Sequence, residues 1–168
     1  MIRAVAFLLV SAAVFAFAVL WAAAHLPVDG VAVHVDVHGE VNRYASRAEA
    51  LRWFTSIGVV LGGLAVTCLA AVRLLPVRLV NIPHKEYWIE PRRVPRLRSM
   101  LSWDIAVVFS LPLLGMSYLP VEVTLLTRDP AGHNQAWLPI VGGVTMLALF
   151  GHIAWMVVGR YRPGRDAR

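Results

Sequence analysis

Four long apolar stretches separated by charged segments constrain the fold of this chain more than any other feature. They lie at about residues 4–24, 53–74, 101–121 and 136–158. A helix needs about 20 apolar residues to cross the hydrocarbon core of a bilayer. Of the 168 residues, 58% are hydrophobic and only 15% are charged, which is unlike a soluble domain. We therefore predict an all-α membrane protein, a four-transmembrane-helix bundle that forms one domain over residues 1–168 with a small extracytoplasmic β element.

The basic residues predict the orientation of these spans. With the N-terminus inside, the inner segments together with Arg73 at the inner end of the second stretch hold twelve of the sixteen Lys and Arg residues, and the outer segments hold four. Cytoplasmic segments of membrane proteins carry such an excess. We predict a multi-pass protein of the bacterial plasma (inner) membrane with both termini cytoplasmic, an outer loop at 25–52 and a cytosolic loop at 75–100. An aromatic belt at the span ends would consist of Trp21, Trp53, Trp103 and Trp137.

The first span has an alternative interpretation. Arg3, an apolar run and the small residues 22–24 together resemble a secretory signal with its cleavage site. The apolar run is longer than the usual core of such a signal, which favours a retained span. Cleavage would leave the other three spans in the same orientation.

Several function classes lack their signatures in this sequence. The net charge of +6 does not come with a basic stripe interleaved with aromatic residues, so no nucleic-acid partner is predicted. Cys68 is the only cysteine, which excludes an intrachain disulfide. The sequence contains no GxSxG, Walker, HExxH or CxxC motif. We predict that the chain is not an enzyme and has no cofactor.

The outer loop contains a strictly alternating segment from Val31 to His38. Period two is typical of a strand, here with valines on one face and His34, Asp36 and His38 on the other. Two imidazoles and a carboxylate at this spacing could bind zinc, with His25 or His133 as a further ligand. The alternative is the solvated face of an amphipathic strand. After the strand, Ser46 to Glu49 has the Ser-x-x-Glu pattern of a helix N-terminus that would open the second span.

Three further groups of residues have both a functional and a structural interpretation. Gly58 and Gly62 form a GxxxG pair, which would serve close packing inside the bundle or, alternatively, a dimer face. Gly142 and Gly143 could act in the same way in the fourth span. In the cytosolic loop, the aromatic and basic residues of 81–98 favour contact with lipid headgroups, and a docking site for a cytosolic partner is the alternative.

Asp104 and His152 are the ionisable residues within the predicted spans. The third and fourth spans are joined by a short connection and should be antiparallel neighbours. Asp104 lies six residues after Arg98 and His152 eight residues before Arg160, which gives depths of about 9 and 12 Å at 1.5 Å per residue. Ionisable groups in a bilayer are costly unless they are paired. We therefore predict that the two side chains face the bundle interior within reach of a hydrogen bond or one water.

Two segments carry a resemblance to a known family. The first reads Leu26-Pro27, then Val31-Ala32-Val33-His34, then Gly39, then Arg43-Tyr44-Ala45-Ser46-Arg47. The second, in the cytosolic loop, contains Asn81, Pro83, Lys85, Tyr87 and Trp88 in the order Asn-Ile-Pro-His-Lys-Glu-Tyr-Trp. Together they resemble a bacterial membrane-protein family of unknown function whose short N-terminal domain is shared with sporulation-delay immunity proteins. The resemblance covers residues 1 to about 100.

This resemblance implies a membrane protein of the immunity or sensor type. Its outer loop would meet an extracellular ligand or peptide, its cytosolic loop would report the event, and its other partner would be the lipid bilayer. Two alternatives remain open. One is an accessory subunit of a larger transporter or envelope complex, and the other is a metal-dependent envelope enzyme that uses His34, Asp36 and His38.

Overall fold

The computed structural model of the chain describes residues 2–36, 40–130 and 136–162. A long helix α1 is followed by a two-stranded hairpin, β1 and β2, and by a second long helix, α2. A short helix α3 precedes α4 and α5, which follow one another with a break at Ser117, and the last helix is α6. Their bounds are Ile2–His25 for α1, Val31–Val35 for β1, Val41–Ala45 for β2, Arg47–Leu74 for α2, Lys85–Trp88 for α3, Val94–Met116 for α4, Tyr118–Arg128 for α5 and Trp137–Trp155 for α6.

Four helical stretches are long and apolar enough to cross a membrane. They are Ile2–His25, Arg47–Leu74, Val94–Arg128 and Trp137–Arg160, the last of which includes a π-helical turn at Met156–Arg160. The four predicted apolar helices and the small β element are therefore present. The number of helices could be predicted from the apolar stretches, because an apolar segment that crosses a bilayer must satisfy its backbone polar groups internally and therefore forms a helix.

The helix ends differ from the predicted span limits. α2 begins at Arg47 because the hydroxyl of Ser46 accepts a hydrogen bond from the Glu49 amide at 3.2 Å, as expected for an N-cap. At the third span, residues 94–100 and 122–128, predicted to lie in loops, are helical. Hydropathy marks where a segment stops being apolar, and a helix can continue past that point. Here Pro95 suits the first turn of α4, so the helix can begin before the apolar stretch. At the other end, α5 continues beyond the apolar stretch and includes a buried polar residue, Glu122.

α4 is the central helix of the bundle. α1, α2 and α6 all pack against it. Buried side chains form three clusters along the bundle, named after the predicted orientation: an outer one around Phe54 and Val123, a middle one around Phe15 and Leu113, and an inner one around Trp88 and Leu97. By contrast, no described residue of α6 is buried. Its apolar surface faces outward, as lipid contact would require.

The glycines divide according to what lies beside them. A Cβ at Gly58 would come 2.7 Å from the Phe15 ring of α1, so Gly58 permits close helix packing within the chain. Gly62 has nothing within 4 Å of that position, and neither do Gly142 and Gly143. The predicted GxxxG pair therefore contributes one residue to internal packing. A tighter approach, which the sequence motif does not include, lies at Gly115, where a Cβ would overlap Thr145 of α6.

The outer hairpin packs on the ends of the helices. β1 pairs antiparallel with β2, with irregular register between Ala32 and Val35. Val31 is buried in the outer cluster and Val33 packs against it, as the alternating pattern predicted. Ala32, expected on the solvent side, is buried too, because its amide donates to the Thr127 hydroxyl of α5 at 3.0 Å. The hairpin is thus attached to α5.

Candidate functional site

A buried carboxylate lies near the inner end of the bundle. Asp104, on α4, has no solvent-exposed surface. Its Oδ2 accepts two hydrogen bonds of 2.7 Å, one from Nε of Arg160 and one from the hydroxyl of Tyr161. A buried carboxylate is costly unless it is paired and hydrogen-bonded. These two donors supply both requirements, so the site is built to hold a negative charge.

His152 of α6 stands on the other side of the same carboxylate. Its Nε2 is 3.6 Å from Oδ1 of Asp104, and its side chain is largely buried. The two ionisable side chains were predicted to lie within reach of a hydrogen bond or one water, and the structure brings them together without a direct hydrogen bond. Neither of these two atoms has a hydrogen-bond partner among the described residues. The separation is too long for a direct hydrogen bond.

The π-helical turn explains how Arg160 reaches this site. In a regular α-helix, eight residues turn the chain by about 800°, which would place Arg160 about 80° around the helix from His152. The i→i+5 bonding of a π-helix makes each turn wider, so the angle between the two side chains shrinks. The guanidinium carbon of Arg160 also lies 4.7 Å from the ring centre of Trp155, a cation–π contact that orients it.

Tyr161 acts as a donor to the carboxylate and as a link to the predicted cytosolic loop. Burial, followed by the hydrogen bond to Asp104, raises the pKa of its phenol, so the hydroxyl keeps its proton. Its backbone carbonyl accepts a hydrogen bond of 2.8 Å from the indole nitrogen of Trp88. The two rings meet edge to face at 6.4 Å. A continuous chain of contacts therefore runs from Asp104 through Tyr161 to α3.

The cytosolic motif lies around this link. Trp88 is buried in the inner cluster, which corrects the expectation that its ring contacts lipid headgroups. Tyr87 lies beneath the guanidinium of Arg93, whose carbon is 3.7 Å from the ring centre. Lys85 begins α3, Pro83 lies in the turn before it, and Asn81 precedes that turn. The Tyr-Trp pair thus has a structural role, because Trp88 fastens the loop to the helix ends.

At the outer hairpin, the predicted metal ligands have separate partners. Nδ1 of His34 is 2.6 Å from the side-chain oxygen of Asn42. Oδ1 of Asp36 accepts a 3.0 Å hydrogen bond from the Glu40 amide. His38 and His133 lie outside the described residues. Within residues 2–36, 40–130 and 136–162, no group of three or more His, Cys, Asp or Glu residues could hold a metal ion.

Three arginines make structural contacts at the hairpin end of the bundle. Arg47 donates to the Leu26 carbonyl at 3.4 Å, and Arg128 donates to the His25 carbonyl at 3.3 Å. These carbonyls end α1, where a cation is favoured by the helix dipole. Arg43 forms an ion pair of 3.1 Å with Glu49. The ion pair joins β2 to the first turn of α2, and the other two contacts hold the end of α1 against α2 and α5.

Sequence reasoning did not assign Arg160 and Tyr161 to the site. Both follow directly after the fourth apolar stretch, and Arg160 served only as a topology signal. Counting residues placed Arg160 at the charged end of the span and Asp104 about 9 Å deeper, so spacing alone did not indicate that they would meet. No known protein family, curated protein or solved structure matches this chain. The site is therefore interpreted from its own geometry.

Proposed function

We propose that this chain is a non-enzymatic, multi-pass protein of the bacterial plasma membrane, of the immunity or sensor type. In this proposal the outer hairpin meets an extracellular ligand or peptide, and the cytosolic loop responds. The excess of basic residues in the inner segments supports cytoplasmic termini. The exposed rings of Trp53 and Trp137 suit the headgroup zone at the opposite end of the helices, which supports a chain that spans the membrane.

The observation that carries the proposal is that one helical rod, α4 followed by α5, touches both candidate regions. At its outer end, Thr127 accepts the hydrogen bond from Ala32 of the hairpin. At its inner end, Asp104 binds Tyr161, which in turn accepts from Trp88 of the cytosolic loop. A movement of the hairpin that displaces α5 would therefore reach the cytosolic loop through a contiguous set of contacts.

The rod also contains a joint at which such a movement could occur. Pro112 lies inside α4 and removes one backbone donor from the helix ladder. Four to six residues later, the helix breaks between Met116 and Tyr118. A helix interrupted in this way can bend at low cost. The proposal places the change between the ligand-free and ligand-bound forms at this joint.

Hydrogen exchange on the protein in nanodiscs tests the coupling. Thr127→Val removes the acceptor of the Ala32 amide, and Thr67→Val, an exposed site on α2 whose hydroxyl bonds only within its helix in the described contacts, is the matched control. We expect Thr127→Val to speed amide exchange in the hairpin and also at residues 85–93, and Thr67→Val to leave both unchanged. Faster exchange confined to the hairpin would contradict coupling through α4 and α5.

An accessory subunit of a larger transporter or envelope complex is the second candidate. The observation in its favour is the outward apolar face of α6, which has open space beside Gly142 and Gly143. Purification in mild detergent distinguishes the two functions, because a stoichiometric large partner supports the accessory subunit. A gene for a secreted peptide or a regulator next to this one would favour immunity or sensing.

A further inference from the structure

A second polar site lies at the inner end of the bundle and shares Arg160 with the Asp104 site. The cavity has a volume of approximately 280 Å³ and is lined by Arg3, Ala4, Ser99, Met100, Trp103 and Arg160. These residues come from α1, from the start of α4 and from the π-helical turn. Its volume equals that of about nine water molecules in the liquid, which is room for a phosphate group and part of a headgroup.

The charge of the lining favours an anion. Two of the six lining residues are arginines and none is acidic. A guanidinium carries five N–H donors, so Arg160 can hold Asp104 through Nε and a second anion through its terminal nitrogens. Arginine matches the oxygens of phosphate in a two-pronged geometry. Ser99 adds a hydroxyl donor to the same wall.

The surroundings of the cavity distinguish a lipid from a soluble ligand. Trp103 stacks on Phe7 of α1, with ring centres 5.7 Å apart, one helical turn deeper than Arg3. Trp103 is partly exposed, and an indole at this level suits the zone between headgroup and acyl chains. The polar cavity is therefore continuous with an aromatic surface directed into the bilayer. A free phosphate would use the arginines alone.

We propose that this cavity binds the phosphodiester of an anionic phospholipid from the inner leaflet. Arg3 and Arg160 hold the phosphate, Ser99 donates to it, and Trp103 with Phe7 contacts the glycerol and the upper acyl chain. The site ties the N-terminal end of α1 to the C-terminal end of the helical bundle through one lipid. It does not depend on a ligand at the outer hairpin.

Lipid titration of the purified, delipidated protein tests this site. The probes are dihexanoyl-phosphatidylglycerol, dihexanoyl-phosphatidylcholine and inorganic phosphate, with the thermal unfolding midpoint as readout, since a ligand of the folded state raises it. Arg3→Gln is compared with Arg78→Gln, an exposed arginine at the same end of the bundle but outside the cavity. We expect the half-saturating concentration of the anionic lipid to rise about tenfold in Arg3→Gln, the loss of one charge-assisted contact, and to be unchanged in Arg78→Gln.

A milder variant keeps the test valid should Arg3→Gln fold poorly. Ser99→Ala should raise the half-saturating concentration about threefold, as expected for one neutral hydrogen bond. Stabilisation by phosphatidylglycerol but not by phosphate at equal concentration supports the lipid. Equal stabilisation by both would assign the cavity to soluble phosphate esters and overturn the lipid assignment. Equal responses of Arg3→Gln and Arg78→Gln, or no response of the unaltered protein, would overturn the site.

Discussion

At the scale of single residues, Asp104 determines how the inner end of the molecule is arranged. Its carboxylate is shared by Arg160 and Tyr161, with His152 at 3.6 Å. Hydrogen bonds between helices in a membrane contribute only about 0.6–2 kcal/mol each, because the unfolded chain also finds partners there. The cluster therefore orients α4 and α6 relative to one another more than it holds them together.

A double-mutant cycle on Asp104 and His152 measures this interaction. His152→Ala should lower the free energy of unfolding by about 1 kcal/mol. Asp104→Asn should lower it by about 2 kcal/mol or more, because Arg160 then loses its counter-charge. We expect the double variant to cost less than the sum, with a coupling of about 0.6–2 kcal/mol in detergent unfolding. Additive effects within about 0.3 kcal/mol would show that the two side chains do not interact.

The outer histidine gives a second prediction at this scale. His34 is held by Asn42, and Asp36 by the Glu40 amide, so the two have different partners. We expect elemental analysis of the purified protein to find far less than one zinc per chain, and His34→Ala to leave the metal content and thermal stability nearly unchanged. Stoichiometric zinc that disappears in His34→Ala would contradict this expectation and support a metal site whose ligands include His38.

At the scale of elements, the contact between α4 and α6 depends on one glycine. A methyl group at Gly115 would overlap Thr145, whose β-branched side chain is stiff and whose hydroxyl donates to the Val141 carbonyl. Away from this contact, most of the large apolar side chains of α6 are exposed. The close approach at Gly115 therefore decides how near α6 can come to the central helix.

Alanine substitutions at two glycines test this contact. We expect Gly115→Ala to destabilise the protein by about 1–3 kcal/mol, since extra volume in a packed contact forces the helices apart. Gly143→Ala, where the added carbon meets open space, should be neutral or slightly stabilising because alanine favours helix. The measurement is unfolding in mixed detergent micelles. Equal effects of the two substitutions would mean that Thr145 moves aside without cost.

At the scale of the whole molecule, the basic residues mark one end of the helical bundle, and exposed apolar side chains cover the helices between the two ends. Twelve of the sixteen basic residues belong to the predicted inner segments, and the helices expose large apolar side chains between the ends. Anionic lipids attract basic segments by about 1 kcal/mol per residue near the surface. The inner end should therefore be the one that faces the cytoplasmic leaflet.

Cysteine labelling measures this orientation directly. In a Cys68→Ala background, single substitutions Glu40→Cys and Arg92→Cys place exposed thiols at the two ends. We expect a membrane-impermeant maleimide to label Glu40→Cys in intact cells, and Arg92→Cys only after the membrane is opened. A reporter fused after Arg168 should read as cytosolic. The reverse labelling pattern would invert the topology and with it the assignment of the hairpin to the outside.

The sequence by itself determined the number of helices, the start of α2 and the position of ionisable residues along the helix axes. Apolar length gave four helices, Ser46 gave the start of α2, and counting residues from the charged ends placed Asp104 and His152 at one depth. Each of these is a local or one-dimensional property, fixed by composition, capping chemistry and rise per residue.

The tertiary structure decided how the helices are rotated and which distant residues meet. Tyr161 reaches Asp104 across 57 positions, and Trp88 reaches Tyr161 across 73. Whether Gly58 or Gly62 meets a neighbour was decided in the same way. Such contacts depend on lateral packing and on a widened π-helical turn, and no hydropathy or spacing pattern encodes them because an apolar helix can present any face to lipid.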